Sequence, residues 1–403
     1  MQKKNISSFV VALGTALEWY DFTLYILFAA ELHNHFFPVQ KSLIISNIET
    51  LAFGYLIILF RPIGAYFFSQ FVYKYSYKFV FKYSILMICL ISFIIATLPS
   101  FNQIGVISVF ILITCRLLQS IVASGQYIIA LNYNIEDNSH FNGFKTSLTM
   151  ANSGVGILIA TIVANYSNHI NSTNHYKFPF LIGSVIGLIF FYLNQKFVIH
   201  LNKENLQATS RNIFFKQAVA NYKKILYIIG LNIVSGFMYY YAMFAVFEKY
   251  TGISQYTSDL LKTLTVLTTV IFYPFSAYFI DKYKGLFKCA YIGIGFFILI
   301  YSVITFVSLN IYLLSLCVCL LILAHSLTNP YILVTSFTLL NNTPNALALS
   351  SIAYASGVSL SVLLIILSSV IPNILFFTLQ IIIFILVLWL RRFIISAKTL
   401  KKN

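Results

Sequence analysis

The chain has 403 residues, of which 59% are hydrophobic and only 9% are charged, and its mean hydropathy is +0.85. Soluble domains carry about 25% charged residues, so this composition excludes an aqueous globular protein and predicts an integral membrane protein. The formal net charge of +16 would suit a nucleic-acid-binding protein, but the basic residues gather between apolar runs, as a membrane topology requires.

The first apolar run, residues 9–30, is long enough to cross a bilayer and contains Glu18 and Asp21. Its basic start resembles a signal peptide, but it has no clear small-residue cleavage site, so we predict an uncleaved first span. A carboxylate at the centre of a bilayer costs about 2.5–3.5 kcal/mol or more. Helical spacing places Glu18, Asp21 and Tyr25 on one face, which predicts that the two acids point the same way.

Eleven further runs of nearly spanning length follow, so the sequence predicts twelve transmembrane helices. These runs lie at 45–70, 79–99, 104–128, 144–166, 178–200, 224–247, 258–280, 286–308, 310–334, 345–370 and 372–395. A long polar interval separates the first six spans from the last six. We therefore predict three parts, which are an N-terminal half at 1–200, a cytoplasmic linker at 201–223 and a C-terminal half at 224–403.

The basic residues predict the orientation of these spans. If the N-terminus is cytoplasmic, most of the 26 Lys and Arg residues fall in cytoplasmic segments, which is the bias that sets topology. We therefore predict that both termini and the linker face the cytoplasm. The stretches "PIGAYFF" at Pro62 and "PFSAYFI" at Pro274 occupy matching places in the two halves and favour a duplicated architecture.

Two basic residues, Arg61 and Arg116, lie inside predicted spans and balance Glu18 and Asp21 in charge. Two interpretations remain open. The four charges form ion pairs that lock helices together, or they line a solvated cavity that binds a substrate carboxylate and exchanges a proton. Arg61, beside a proline, is the better structural candidate. Arg116 is the better ligand, because a guanidinium binds a carboxylate at two points.

The C-terminal half has no formal charge deep in a predicted span and offers only polar candidates. They lie on the seventh and tenth spans and are Asn232, Tyr239, Tyr240, His325 and Asn329. A single His or Tyr in a helix is more often a packing residue than a ligand. His325 and Asn329 share a helix face just before Pro330, whose ring frees backbone carbonyls.

Three stretches carry a family resemblance: "GTALEWYDF" at Gly14, "FRPIGAYF" at Phe60 and "CRLLQSIVASGQY" at Cys115. They resemble the metabolite/proton symporters of the major facilitator superfamily, which include proline/glycine-betaine, citrate, α-ketoglutarate and shikimate carriers. The family pattern is G-x-x-x-E-W-Y/F-D-F, then R-P-x-G, then R-x-x-Q-G-x-x-x-G-G-E-Y. The resemblance covers the first two hundred residues well and implies an all-α membrane fold with two six-helix halves.

The chain departs from this family in two places. The acid of G-G-E-Y is Gln126 here, which removes one protonatable group. In the family, a cytoplasmic G-D-R-x-G-R-K loop helps to hold the halves outward-open. The first copy here is "VYKYSYK", which keeps Lys74 and Lys78 but has a tyrosine in the acid's place, and the second copy keeps Asp281 and Lys282. The resemblance therefore implies a weaker gate and leaves proton coupling open.

These features predict a secondary active transporter of the bacterial inner membrane. It would carry a small carboxylate-bearing solute, such as an amino acid, a betaine or an organic acid, by proton-coupled alternating access. An uncoupled facilitator or exchanger is the alternative, which Gln126 favours. We assign the stable ion pair to Asp21 and the coupling proton to Glu18.

The remaining expectations are absences. No H-E-x-x-H or G-x-S-x-G motif occurs in the sequence, so we expect no enzyme activity. We also expect no metal and no cofactor, with a proton or other ion gradient as the only coupling partner. Besides the small-molecule substrate and the lipid bilayer, we expect no partner, neither nucleic acid nor a second copy of the chain, and therefore a monomer.

Overall fold

A computed structural model describes most of the chain. The described residues are 2–37, 59–136, 141–168, 175–198, 211–245, 255–283, 286–307, 309–341 and 345–368, with the isolated positions 343, 378, 382, 383, 385–389, 391 and 392. These ranges are almost entirely helical and contain no β-strand. Helices are expected for spans of this hydropathy, because a helix satisfies its own backbone hydrogen bonds where no water is available.

Eight helices occur in the described residues before position 200. They are α1 (Gln2–Leu27), α2 (Ala29–Phe36), α3 (Arg61–Lys74), α4 (Tyr77–Thr97), α5 (Phe101–Ile104), α6 (Val106–Glu136), α7 (Asn142–Asn168) and α8 (Lys177–Phe197). The first span ends earlier than predicted, at Leu27 rather than at residue 30. Phe28 leaves the helical conformation, with φ −103° and ψ 20°, and α2 begins after it.

Local signals in the sequence explain where two of these helices begin. Pro62 lies in the first turn of α3, where its missing N–H breaks no helical bond. Ser76 caps α4, since its side chain accepts a hydrogen bond from the backbone N–H of Phe79 at 3.1 Å. The turn between α3 and α4 is therefore short and well defined.

Six helices and one π-helical turn occur in the described residues after position 200. They are α9 (Arg211–Ala220), α10 (Tyr222–Tyr240) with the π-turn Tyr241–Ala245, α11 (Gln255–Lys282), α12 (Leu286–Phe306), α13 (Ile311–Thr338) and α14 (Ala346–Ser368). Pro274 and Pro330 lie inside α11 and α13, as membrane helices tolerate. The stretch predicted as the linker, 201–223, thus contains α9.

Ten segments among the described residues are long and apolar enough to cross a membrane. They coincide with ten of the twelve predicted spans. Of the other two, the span at 45–70 is described only from position 59, where α3 forms its second half. The span at 372–395 lies mostly outside the described residues.

The chain divides into two compact units. Unit 1 comprises Met1–Tyr133 and Asn152–Lys203, and unit 2 comprises Asn134–Ala151 and Glu204–Asn403. In unit 1, α8 packs against α1 and α4. In unit 2, α10 packs against α14 and α13, and α13 also packs against α11 and α12. The predicted boundaries of the halves and the linker stay a prediction.

Glycines allow some of these helices to approach closely. A Cβ added at Gly156 of α7 would collide with the backbone carbonyl of Ala16 in α1, and one at Gly357 of α14 would meet the carbonyl of Ile229 in α10. Small residues at such crossings let helix backbones pack against each other in membranes. The position of α1, which carries both deep acids, is therefore fixed by direct backbone contact.

Candidate functional site

Glu18 and Asp21 lie in the interior of unit 1, where each is only 4% exposed. They line one small cavity together with Arg61 of α3 and Arg116 of α6. The other residues around it are Phe22, Ile88, Gln119, Ser120 and Ala123. The cavity has a volume of about 30 Å³, whereas small-molecule sites usually have about 300–1,000 Å³. It therefore has room for water but not for a solute of amino-acid size.

Glu18 pairs with Arg61. The Arg61 Nη2 atom donates to Glu18 Oε1 at 3.2 Å. The backbone carbonyl of Arg61 also accepts a hydrogen bond from Ser124 Oγ at 2.9 Å, which ties the start of α3 to α6. The second carboxylate oxygen of Glu18, Oε2, has no hydrogen-bond partner among the described residues. Glu18 thus has one oxygen in an ion pair and one oxygen available.

Asp21 is held on both of its oxygens. Its Oδ1 atom accepts a hydrogen bond from Ser92 Oγ of α4 at 2.5 Å. Its Oδ2 atom accepts one from the side-chain amide of Gln119 and lies 4.0 Å from Arg116 Nη1. Asp21 therefore joins α1 to both α4 and α6, and its carboxylate is the more fully bonded of the two.

Arg116 is also buried, with 3% of its surface exposed. Its guanidinium carbon lies 3.7 Å above the ring centre of Tyr25, an arrangement that attracts the cation to the ring face. Its Nη1 atom donates to Gln119 Oε1 at 2.9 Å, so Gln119 connects Arg116 with Asp21. The Nε atom has no hydrogen-bond partner among the described residues.

The structure thus brings the predicted charged residues and Tyr25 together, and it decides which acid faces which arginine. The sequence left these pairings open. Two participating residues were not predicted as site residues, Ser92 and Gln119. The sequence could have predicted Gln119 as a site residue, because it is a polar residue three positions after Arg116 in an apolar span. It could not have predicted Ser92, since serine is common in membrane helices.

Gln126 lies apart from this charged cluster. It is fully buried on α6 and is not among the residues that line the cavity. Its side chain presses against Gly14 of α1, where any added Cβ would collide with the amide nitrogen. Neither amide atom has a hydrogen-bond partner among the described residues. A buried amide without partners is unfavourable, so the side chain of Gln126 occupies this space without a stabilising hydrogen bond among the described residues.

His325 is the centre of a polar cluster in unit 2. It is fully buried, and its two ring nitrogens are hydrogen-bonded to Ser235 Oγ, at 2.8 Å, and to the Tyr273 hydroxyl. Asn329 Oδ1 accepts from the same Ser235 hydroxyl at 3.4 Å. The ring of Tyr239 lies 5.8 Å from the imidazole. With both nitrogens satisfied, His325 fits the packing interpretation, and the sequence reasoning missed Ser235 and Tyr273.

The two other candidates of unit 2 have different surroundings. Tyr240 contacts Tyr239 edge to face, with ring centres 5.5 Å apart. Asn232 lies one helical turn before Ser235, and its Nδ2 atom donates to the Ile228 carbonyl and to Ser336 Oγ, both at 2.8 Å. Asn232 therefore joins α10 to α13 and is not hydrogen-bonded to His325.

The gating-loop candidates behave differently in the two units. In unit 2, Asp281 Oδ2 accepts a hydrogen bond from the backbone N–H of Phe144 at 2.8 Å, which ties the end of α11 to the start of α7. Lys282 lies over the neighbouring rings of Tyr278 and Tyr283. In unit 1, Tyr73 stands in the acid's place and is buried, while Lys74 lies over Tyr75 and Lys78 is half-buried in the first turn of α4.

Comparisons with known proteins agree with this architecture. Residues 6–362 match the model of the Major Facilitator Superfamily. The chain is 29% identical over 242 residues to the "Putative proline/betaine transporter" of Staphylococcus aureus (strain COL), which covers 57% of this chain and 52% of that protein. It is 28% identical over 254 residues to the proline/betaine transporter of Escherichia coli (strain K12), covering 57% and 49%. The matched region thus spans about half the length of these relatives.

Solved structures show the same fold at low sequence identity. A structure of the proton:xylose symporter XylE covers 98% of this chain and 96% of its own, with a TM-score of 0.76 and 14% identity. The human organic anion transporter MFSD10 covers 96% and 99%, with a TM-score of 0.68 and 12% identity. These likenesses and the family match confirm the all-α major facilitator fold predicted from the sequence. The chain belongs to the major facilitator superfamily, whose members are membrane transporters and not enzymes.

Proposed function

We propose that the chain is a secondary active transporter that carries a small carboxylate-bearing solute together with protons, by alternating access. The observation that carries this proposal is the group of four buried charges around a water-sized cavity in unit 1. Burying a charge at membrane depth costs free energy, so charged residues found there are usually paired and usually serve a function. Here they are paired, yet Glu18 Oε2 and Arg116 Nε have no hydrogen-bond partner among the described residues.

Arg116 is the proposed ligand for the substrate carboxylate. Its contact with Asp21 is long, at 4.0 Å, and the Tyr25 ring covers one face of the guanidinium, which leaves its edge to meet an anion. A carboxylate would form two parallel N–H···O bonds with that edge. The relatives named as proline/betaine transporters support this solute class, because proline and betaine both carry a carboxylate.

Glu18 is the proposed proton carrier and Asp21 the fixed partner. Two adjacent carboxylates do not both stay ionised in a poorly solvated site unless each is compensated. Asp21 is compensated by Ser92, Gln119 and Arg116. Among the described residues, Glu18 is compensated on Oε1 alone, by Arg61, and the open Oε2 atom is the group that would accept a proton from water in the cavity.

An uncoupled facilitator or exchanger of the same solutes is the second candidate. Gln126 favours it, because an amide cannot release a proton and here replaces the acid that the resembling family has at this position. The two candidates differ in one measurable property, since only the symporter concentrates its solute when a pH gradient is applied.

Uptake by the purified chain in proteoliposomes separates the two candidates. We expect wild-type protein to accumulate a labelled amino acid, betaine or organic acid when the outside is acidified. Glu18→Gln should lose this accumulation but still exchange solute between equal concentrations. The matched control is Glu31→Gln, which neutralises a half-buried acid of α2 outside the cavity and should behave as wild type. If Glu18→Gln concentrates solute as wild type does, Glu18 is structural and the proton-coupling assignment is wrong.

The proposed setting is the bacterial inner membrane, with the chain as a monomer and both termini cytoplasmic. The multiple membrane-spanning helices and the bacterial relatives support a location in the inner membrane. The distribution of Lys and Arg supports the proposed orientation. Reporter fusions at Asn205 and Asn403 test it. Activity of either reporter on the outer face would reject the proposed topology.

A further inference from the structure

The side chain of Gln119 lies between the two charges of the Asp21–Arg116 pair. Its Oε1 atom accepts a hydrogen bond from Arg116 Nη1 at 2.9 Å, and its Nε2 atom donates to Asp21 Oδ2. The same two charged atoms, Arg116 Nη1 and Asp21 Oδ2, are 4.0 Å apart. One carboxamide is thus bonded to both members of the ion pair, through the two atoms that this distance joins.

The distance is longer than a direct contact between a guanidinium and a carboxylate. Charge-assisted N–H···O bonds have N···O distances of about 2.7–2.9 Å, so Arg116 and Asp21 form no direct hydrogen bond at 4.0 Å. Both are buried, at 3% and 4% exposure, and opposite charges attract each other strongly in a poorly solvated interior. The group that is bonded to both of them, and so separates them, is Gln119.

Two helices position the side chains of this arrangement. Arg116 and Gln119 are three residues apart on α6, so they share a helix face. Asp21 and Tyr25 are four residues apart on α1 and also share a face. The Tyr25 ring covers one side of the guanidinium, and Ser92 of α4 donates to the other oxygen of Asp21. The cation and the anion are therefore each held by a second contact, and the amide completes the spacing between them.

A carboxamide suits this position because it has a donor, an acceptor and no charge. Its N–H group meets the anion and its oxygen meets the cation. A neutral oxygen carries only a partial charge, so it attracts Arg116 less than a carboxylate would at the same distance. The Arg116 Nε atom has no hydrogen-bond partner among the described residues. The guanidinium is thus oriented by Gln119 but is not neutralised at close range.

We propose that Gln119 is a positioning residue, which prevents Arg116 from pairing directly with Asp21 and so keeps its guanidinium available to the carboxylate of the solute. This inference rests on the proposed function, in which Arg116 binds that carboxylate. Without the amide, Arg116 and Asp21 would close to a direct contact. The solute would then compete with a full negative charge for Arg116 and would bind more weakly.

The crystal structure of the variant Gln119→Met tests the geometry without any solute. Methionine has about the length and volume of glutamine, but it has neither the amide donor nor the amide acceptor. We expect the distance from Arg116 to the Asp21 carboxylate to shorten from 4.0 Å to about 2.7–2.9 Å. A distance that stays near 4.0 Å would overturn the inference, because another group would then keep the two charges apart.

Equilibrium binding of labelled proline and labelled betaine to the purified full chain tests the consequence. For the probe that wild type binds, we expect Gln119→Met to raise Kd about 10- to 100-fold, the range that a hydrogen bond to a charged group contributes. The number of sites per folded protein should not change, whereas a purely structural glutamine would lower that number and leave Kd as it is. An unchanged Kd would overturn the inference.

The matched control is Gln70→Met, which makes the same substitution at a half-buried glutamine of α3 that does not line the cavity. It should bind the probe as wild type does. An equal rise in Kd in Gln70→Met and Gln119→Met would overturn the inference, because the effect would then not depend on the amide between the charges.

Gln119→Glu provides a second test that does not depend on the folding of the methionine variant. A protonated carboxyl group has the same donor and acceptor as the amide, whereas an ionised one loses the donor and pairs with Arg116 itself. The titratable and charged groups around this position are Glu18, Asp21, Tyr25, Arg61 and Arg116. Wild type has the same groups, so the ratio of the two Kd values at each pH isolates the substitution. We expect Kd to approach the wild-type value as the medium is acidified, and a ratio independent of pH would overturn the inference.

Failure of this inference and failure of the proposed function give different results. If wild type binds neither probe, or if Arg116→Gln binds as wild type does, Arg116 is not the ligand and the solute assignment of the proposed function is wrong. If Arg116→Gln loses binding but Gln119→Met keeps both the 4.0 Å distance and the wild-type Kd, the positioning role of Gln119 alone is wrong.

Discussion

The substitution Asp21→Asn removes one charge from a buried pair and leaves the other in place. Arg116 is only 3% exposed, and its cation would then face a neutral amide. The new Nδ2 group also donates, so it opposes either the Ser92 hydroxyl or the Gln119 amide, which both donate to Asp21 in the native protein. Removing one partner of a buried ion pair typically costs about 3–5 kcal/mol.

Thermal unfolding of the purified protein, followed by size-exclusion chromatography, measures this loss. For a folding unit of about 150–250 residues, each kcal/mol lowers Tm by about 2–4 °C, so we expect Asp21→Asn to lower Tm by about 6–20 °C. The matched variant Glu18→Gln should lower it less, since its amide oxygen can still accept from Arg61. Adding Arg116→Gln to Asp21→Asn should restore at least half of the lost Tm, because the uncompensated cation is gone.

Two results would refute this reasoning. If Asp21→Asn unfolds within about 2 °C of wild type, the Asp21 carboxylate does not stabilise unit 1 through its pair with Arg116. If the double variant is as unstable as Asp21→Asn alone, the loss comes from the hydrogen bonds of Ser92 and Gln119 and not from an unpaired charge. Measuring Arg116→Gln alone completes the double-variant cycle, which isolates the coupling between the two side chains.

Two further predictions use the same unfolding assay. Gly156→Leu should prevent folding, because its side chain would collide with the Ala16 carbonyl, whereas Gly295→Leu should fold, since a Cβ at that position meets nothing within 4 Å; equal folding of both variants would contradict the close helix contact. Tyr273→Phe should destabilise unit 2 by about 1–3 kcal/mol, because it leaves a buried ring nitrogen of His325 without its partner. The exposed control Tyr278→Phe should change Tm by less than half as much, and the reverse order would argue against a structural hydrogen bond at His325.

Hydropathy predicts most of this fold from the sequence. Apolar runs of spanning length must form helices in a bilayer, so ten predicted spans coincide with helices in the described residues. The boundary at Phe28 was not predictable. The apolar run continues through it, and no proline or glycine marks the end of α1.

The charged residues of the site were predictable, but their pairing was not. Four ionisable groups at membrane depth stand out in the sequence because each is expensive there. Which acid meets which arginine depends on how α1, α3 and α6 rotate against one another. That rotation is set by packing over many residues, and no local pattern in the sequence records it. For the same reason, the sequence could not predict Ser235 and Tyr273 as partners of His325. They become its partners only where three helices meet.

The two units differ in the side chains that could accept and release a proton. In unit 2, the ring of His325 is hydrogen-bonded to two neutral hydroxyl groups, and the described contacts around it include no charged side chain. In unit 1, Gln126 cannot exchange a proton and lies outside the lining of the charged cavity, while both oxygens of Asp21 are already bonded. Glu18 combines burial, a cationic neighbour and an oxygen without a partner among the described residues. Among the described residues of the two sites, Glu18 is therefore the group that we propose as the proton carrier.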